Sequence, residues 1–133
     1  MAPFNNIRAV IIDMDGVLWH GEQPLPGLIE FFQTLRDLQL PFVAATNNAR
    51  QTQKQYVNKL AGMGVTIKPK EVLTSAMATA QYLAERNNPA QTRVFVIGES
   101  GATEPLQERG FILTNSYEAN DGGKKTADFS PVT

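Results

Sequence analysis

Cysteine is missing altogether from the 133 residues, which excludes disulfides, thiolate metal sites and cysteine nucleophiles. The same absence suits a reducing compartment, and the cytoplasm is the expected location. Charge of one sign is equally scarce: 12 lysines and arginines against 13 aspartates and glutamates leave a formal net charge of -1. No global field therefore draws the chain to nucleic acid or to an anionic membrane, and the expected partner is small and locally recognised. Long apolar runs are lacking too. The N-terminus, Met1-Ala-Pro-Phe-Asn-Asn6, has no basic region followed by an apolar stretch, and no later segment nears the ~18 apolar residues of a membrane span. A soluble, untargeted chain is expected. Histidine and tryptophan occur once each. His20 has no partner at metal-ligand spacing and reads as a loop residue, and Trp19 reads as local packing.

What is present is an alternation of strand and helix signals. Arg8-Ala-Val-Ile-Ile-Asp13 is a β-branched apolar run of the kind expected of a strand buried on both faces. Leu28, Phe31, Phe32, Leu35 and Leu38 recur at helical spacing, giving one face to pack on a sheet. Pro41-Phe-Val-Ala-Ala-Thr46 repeats the strand pattern, with proline at its first position. Thr52 followed by Gln55 has the form of a capping box, and Tyr56, Leu60 and Met63 continue an apolar stripe to Gly62 and Gly64. A further helix is expected from Thr74 or Ser75 to Ala84, then a third strand over Arg93–Ile97. Gly98-Glu-Ser-Gly101 is a strand-to-helix turn, a short helix covers Glu104–Arg109, and a brief strand covers Phe111–Thr114. Strands alternating with helices imply a single α/β layer sandwich on a parallel sheet. Residues 115–133, with paired glycines, Lys124-Lys125 and Pro131, are expected to be poorly ordered.

In open parallel sheets ligands gather beyond the carboxyl ends of the strands. There the sequence places Asp13, Asp15 and Gly16 after the first strand, and Thr46-Asn47-Asn48 after the second. Two close carboxylates repel unless a cation or a proton sits between them, and hard oxygen donors suit Mg²⁺. Asp13 could then attack phosphorus, splitting hydrolysis into two displacements through an acyl phosphate. Asp15 could donate a proton to the leaving oxygen and later deprotonate water. The Thr46 hydroxyl and the loop amides near Asn47 could hold a phosphoryl oxygen.

Asp13-Met-Asp15-Gly-Val resembles motif one of the haloacid dehalogenase superfamily, and Phe42-Val-Ala-Ala-Thr46-Asn-Asn48 resembles its motif two. The longer string Asp13-Met-Asp-Gly-Val-Leu-Trp-His-Gly21, with Pro24-Leu-Pro-Gly27 behind it, is similar to the para-nitrophenylphosphatase and phosphoglycolate phosphatase branch. The resemblance covers roughly residues 7–114 and implies a Rossmann-like three-layer sandwich, present as a partial core over residues 1–114. It implies Asp13 as nucleophile and Mg²⁺ ligand, and Asp15 as acid/base and, through its backbone carbonyl, second ligand. It also implies a phosphate site made by Thr46, Asn47, Asn48 and Gly16, with Val17 beside it, and a small phosphorylated metabolite as partner. The family's later lysine or arginine, and its strand followed by Gly-Asp, have no counterpart: Lys124 and Lys125 lead only to Asp128-Phe-Ser-Pro131. The branch's cap, inserted after the third strand region, is also expected to be absent. The expectation is an N-terminal half-site of low activity.

Two other classes compete with this reading. One is a non-catalytic module that keeps the fold without turnover. The other is a phospho-acceptor receiver domain, which wants adjacent acids after strand one and an aspartate after strand three, where this chain has Gly98-Glu99.

Overall fold

The computed structural model describes residues 6–114, so the segment 115–133, with Lys124 and Lys125, lies outside the described residues. Among the described residues two compact units are formed, one by residues 6–48 and 53–75, the other by residues 49–52 and 76–114.

In the first unit, β1 (Val10–Asp13), two short strands β2 (Trp19–His20) and β3 (Gln23–Pro24), α1 (Leu28–Asp37), β4 (Phe42–Thr46), α2 (Gln53–Gly62) and β5 (Val72–Thr74) follow in order. Strands β1, β4 and β5 make a parallel sheet in that spatial order, with Ile12 opposite Ala44 and Ala44 opposite Val72. This is the Rossmann-like α/β class that the motif order implied. Strand β5 follows a single 3₁₀ turn at Pro69–Glu71 and has only three residues, too short for an alternation signal to reveal it in the sequence.

The inward side chains of the sheet explain which helix residues are buried. Ile12, Phe42, Ala44 and Val72 form one cluster with Leu28, Phe32 and Leu35 of α1 and Tyr56 and Leu60 of α2. Parallel sheet pairs share a face, so the opposite face carries Ile11, Val43, Ala45 and Leu73. There Ile11 is 79% exposed and Leu73 is 40% exposed. The expectation that β1 is buried on both faces is therefore corrected: its apolar run is continuous, yet only alternate residues are covered. On α1, likewise, Phe31 and Leu38 are exposed although they continue the apolar stripe.

In the second unit, β6 (Arg93–Val94) pairs in parallel with β7 (Ile112–Leu113), and the helices are α3, spanning Ser75–Ala84 and entering this unit from Ala76, and α4 (Ser100–Glu108). The expected third strand over Arg93–Ile97 is thus shortened and belongs to a separate two-stranded sheet. Helix α4 begins four residues ahead of the expected Glu104, and it accommodates Pro105. Ala80, Leu106 and Phe111 form its core. A side chain at Gly101 would run into the carbonyl oxygens of Gln51 and Ala49, so glycine lets that loop lie against the start of α4, where Arg50 also pairs with Glu99 at 3.0 Å.

Candidate active site

Strands β1 and β4 run side by side in the same direction, with Asp13 opposite Ala45. That register delivers Asp13 and Thr46 to the same carboxyl edge of the sheet, where the residues after each strand meet. Asp13 and Asp15 are exposed, whereas Thr46, the last residue of β4, is only 6% exposed.

The chain after Asp13 turns back tightly. The buried Met14 carbonyl accepts the amides of both Val17 and Leu18, at 3.2 and 2.8 Å, and Gly16 takes a φ of +82°, a conformation that favours glycine. The turn brings Trp19 alongside Asp15, and the indole N–H donates to Asp15 Oδ1 at 2.8 Å. Gly16, whose backbone is expected beside the phosphate, donates its N–H to the Trp19 carbonyl at 2.8 Å and permits the turn. Val17 is 52% exposed, with its own amide held by Met14. His20, expected in a loop, lies in β2 of a two-residue hairpin opposite Gln23 and is exposed.

On the β4 side, the Asn48 amide donates to Thr46 Oγ1 at 3.0 Å, a local side-chain-to-backbone bond that rounds off the strand. Asn48 also reaches across to the first loop, its Nδ2 lying 3.4 Å from Asp15 Oδ2. Asn47 is exposed, and its carbonyl accepts the Ser75 hydroxyl at 3.0 Å. The structure thus brings Asp15, Thr46 and Asn48 into one hydrogen-bonded group, with Asp13 and Asn47 at the same edge.

Two further residues enter the group that pattern reading assigned to packing alone. Trp19 is completely buried and stacks on Tyr56, ring centroids 6.3 Å apart at 19°. The Tyr56 hydroxyl, on the inward face of α2, donates to the Asn48 carbonyl at 3.1 Å. Burial, and after it the negative charge of Asp15, push the phenol above its ordinary value, while a hydrogen bond with Thr46 works the other way. The phenol accordingly stays protonated and able to donate. The signal in the sequence was a tyrosine and a tryptophan at apolar positions, since each carries a polar atom that must find a partner when buried.

As for a metal, the donors at this edge are hard carboxylate oxygens, the kind Mg²⁺ accepts, with water completing its shell. Among the described residues no group of three or more His, Asp or Glu side chains could hold an ion. The residues that could hold a hydrated cation there are Asp13, through its carboxylate, and Asp15, through its backbone carbonyl.

Parallel strands ending in paired aspartates on one side and Thr-Asn-Asn on the other define a Rossmann-like α/β core with a polar site at its carboxyl edge. The chain belongs to the haloacid dehalogenase-like hydrolases, whose family model matches residues 10–112. It is 35% identical over 125 residues to a 5′-nucleotidase of Bacillus subtilis, an alignment covering 94% of this chain and 44% of that protein. Among solved structures, a 4-nitrophenylphosphatase of Thermotoga maritima superposes with a TM-score of 0.75 at 32% identity, over 84% of this chain and 42% of that one. A glycerol phosphate phosphatase of Mycobacterium tuberculosis, determined in complex with magnesium, superposes with a TM-score of 0.71 at 26% identity, over 85% of this chain and 33% of the other. The chain therefore spans less than half the length of these relatives. They belong to the phosphatase branch that the Asp13–Gly27 string resembles.

Proposed function

We propose that this chain carries the nucleophile-bearing half of a Mg²⁺-dependent phosphomonoesterase site that acts on a small phosphorylated metabolite. The observation that carries the reading is the convergence of Asp15, Thr46 and Asn48 in one hydrogen-bonded group at the sheet edge that also bears Asp13. The names of the relatives, a 5′-nucleotidase and a glycerol phosphate phosphatase, support the substrate class, and the magnesium complex of the latter supports the metal.

In this reading a carboxylate oxygen of Asp13 attacks phosphorus, and the bond to the leaving oxygen breaks while Asp15 supplies that oxygen with a proton. Asp15 then removes a proton from water as the water attacks the aspartyl-phosphate, releasing inorganic phosphate and restoring Asp13. The Thr46 hydroxyl can donate to an anion, and Asn47 and Asn48 flank the same place, so they orient the phosphoryl group without reacting. Gly16 contributes the turn. A bound Mg²⁺, held by Asp13 and Asp15, would mask phosphoryl charge.

The small number of acids favours slow turnover. Positioning and charge neutralisation supply most of the rate in phosphoryl transfer, and removing one electrostatic donor commonly costs on the order of 10²–10³ in kcat. The test is para-nitrophenyl phosphate hydrolysis by the 133-residue chain with and without millimolar Mg²⁺, using Asp13→Asn as the blank. Slow Mg²⁺-dependent release, abolished in that variant, is expected. Release unaffected by Asp13→Asn would leave the non-catalytic module as the reading, and brisk turnover at roughly 1–10³ s⁻¹ would refute the half-site.

A further inference from the structure

The two oxygens of Asp15 are not equivalent. Oδ1 receives the Trp19 indole N–H at 2.8 Å, a short bond from a side chain with 0% exposure. Among the described residues Oδ2 faces the longer 3.4 Å approach of Asn48 Nδ2, on the exposed side. Trp19 itself is immobilised from three directions. Its ring stacks on Tyr56, Lys59 Nζ lies 4.8 Å from the ring centroid, and its carbonyl accepts the Gly16 amide. Lys59 is in turn tied to the Gly21 carbonyl at 2.8 Å and to Glu22 at 3.1 Å.

We propose that Trp19 is a positioning residue for Asp15, its indole N–H fixing Oδ1 so that Oδ2 alone gives up and takes back the proton. An indole nitrogen is a donor only. A proton placed on Oδ1 would point donor at donor and forfeit the bond, whereas a proton on Oδ2 leaves Oδ1 as the acceptor it already is. In the first displacement the Oδ2–H bond breaks and the leaving oxygen gains the proton. In the second, water's oxygen bonds phosphorus and loses a proton to Oδ2 while the bond from phosphorus to the Asp13 oxygen breaks. Asn48 Nδ2, also a donor, must turn aside whenever Oδ2 is protonated, and the length of its present contact makes that turn easy. The single rotamer of Asp15 is thus held by the tryptophan, not by the asparagine. This inference rests on the reading of Asp15 as the acid/base group.

The chain contains one tryptophan, so growth on an isosteric analogue with sulfur in place of the indole N–H alters this position alone. In the full chain, the Asp15 Hα–Hβ couplings measured by NMR are expected to report one χ1 rotamer with natural Trp19. Averaging over rotamers is expected with the analogue and with Trp19→Phe, the other resonances being retained. In the reverse direction, Asp15→Ala is expected to move the indole proton upfield, and Asp13→Asn to leave it in place. An Asp15 that keeps one rotamer without the N–H, or an indole proton indifferent to Asp15→Ala, would overturn the proposal. The Asp15→Ala arm decides the matter even where replacing Trp19 unsettles the fold. None of these readouts needs turnover, so a failure of Asp13-dependent phosphate release counts against the phosphatase reading and leaves this one to be judged on its own.

Discussion

Arg36 on α1 meets Glu71 ahead of β5 with two parallel bonds, Nη1 to Oε1 at 2.6 Å and Nη2 to Oε2 at 2.8 Å. The Lys68 amide adds a third bond to Oε2 at 2.7 Å, and the guanidinium also lies 4.7 Å from the Phe42 ring centroid. The guanidinium bond, above all, holds the Glu71 carboxyl below its ordinary value of 4.5, against the opposing pull of burial. A carboxylate whose value is lowered by folding stabilises the folded chain above the ordinary value, and that contribution fades as the pH falls through the lowered one. With the Arg36 side chain 41% exposed, solvent screens the pair, so Glu71→Gln is expected to cost about 1–2 kcal/mol at pH 7. Urea unfolding at pH 7 and near pH 3 checks this: the gap between the two proteins should narrow at acid pH, and an unchanged gap would show that the charge contributes nothing.

At the scale of elements, β1 shows how a continuous apolar run can face two environments. Ile11 and Ile12 are chemically the same residue, one 79% exposed and the other 5%. Ile12→Ala removes packing against α1 and α2 and is expected to destabilise by about 2–4 kcal/mol, whereas Ile11→Ala is expected to stay within about 0.5 kcal/mol. Comparable losses from both would mean that β1 is covered on both sides, as its composition alone suggested. The helices were easier to read. The start of α1 at Leu28, the start of α2 after Thr52 and the span of α3 all agree with the periodic pattern and its punctuation. Strand β5 leaves no mark in the sequence because Val72-Leu-Thr74 is a pairing decided by a neighbour, and α4 starts at Ser100 because the loop that packs on Gly101 is brought there only by the fold.

For the molecule as a whole, the number of acids at the site sets the expected metal affinity. Among the described residues the acids near the site are Asp13 and Asp15, with no third to enclose an ion. Mg²⁺ demands near-octahedral oxygen geometry and gives up water reluctantly, so calorimetric titration of the 133-residue chain should find weak binding. A dissociation constant below about 1 μM would show a fuller set of donors than this one.

The sequence by itself determined the α/β class, the order of the elements and the two acidic and polar loops. Those depend on short-range facts: which residues are apolar, at what spacing, and where glycine and aspartate interrupt them. Family and candidate site residues were legible in the same way, since Asp13-Met-Asp15-Gly and Thr46-Asn-Asn are local strings. Only the tertiary structure decided which face of β1 is covered, that Arg93-Val94 pairs with Ile112-Leu113 and not with β5, and that the Gly16 amide is already bound to Trp19. It also decided that Trp19 and Tyr56, read as packing, carry the polar atoms that hold Asp15 and Asn48. The reason is physical: a burial pattern records that a side chain leaves water, but the direction of its one N–H or O–H is set by residues that approach it only when the chain is folded.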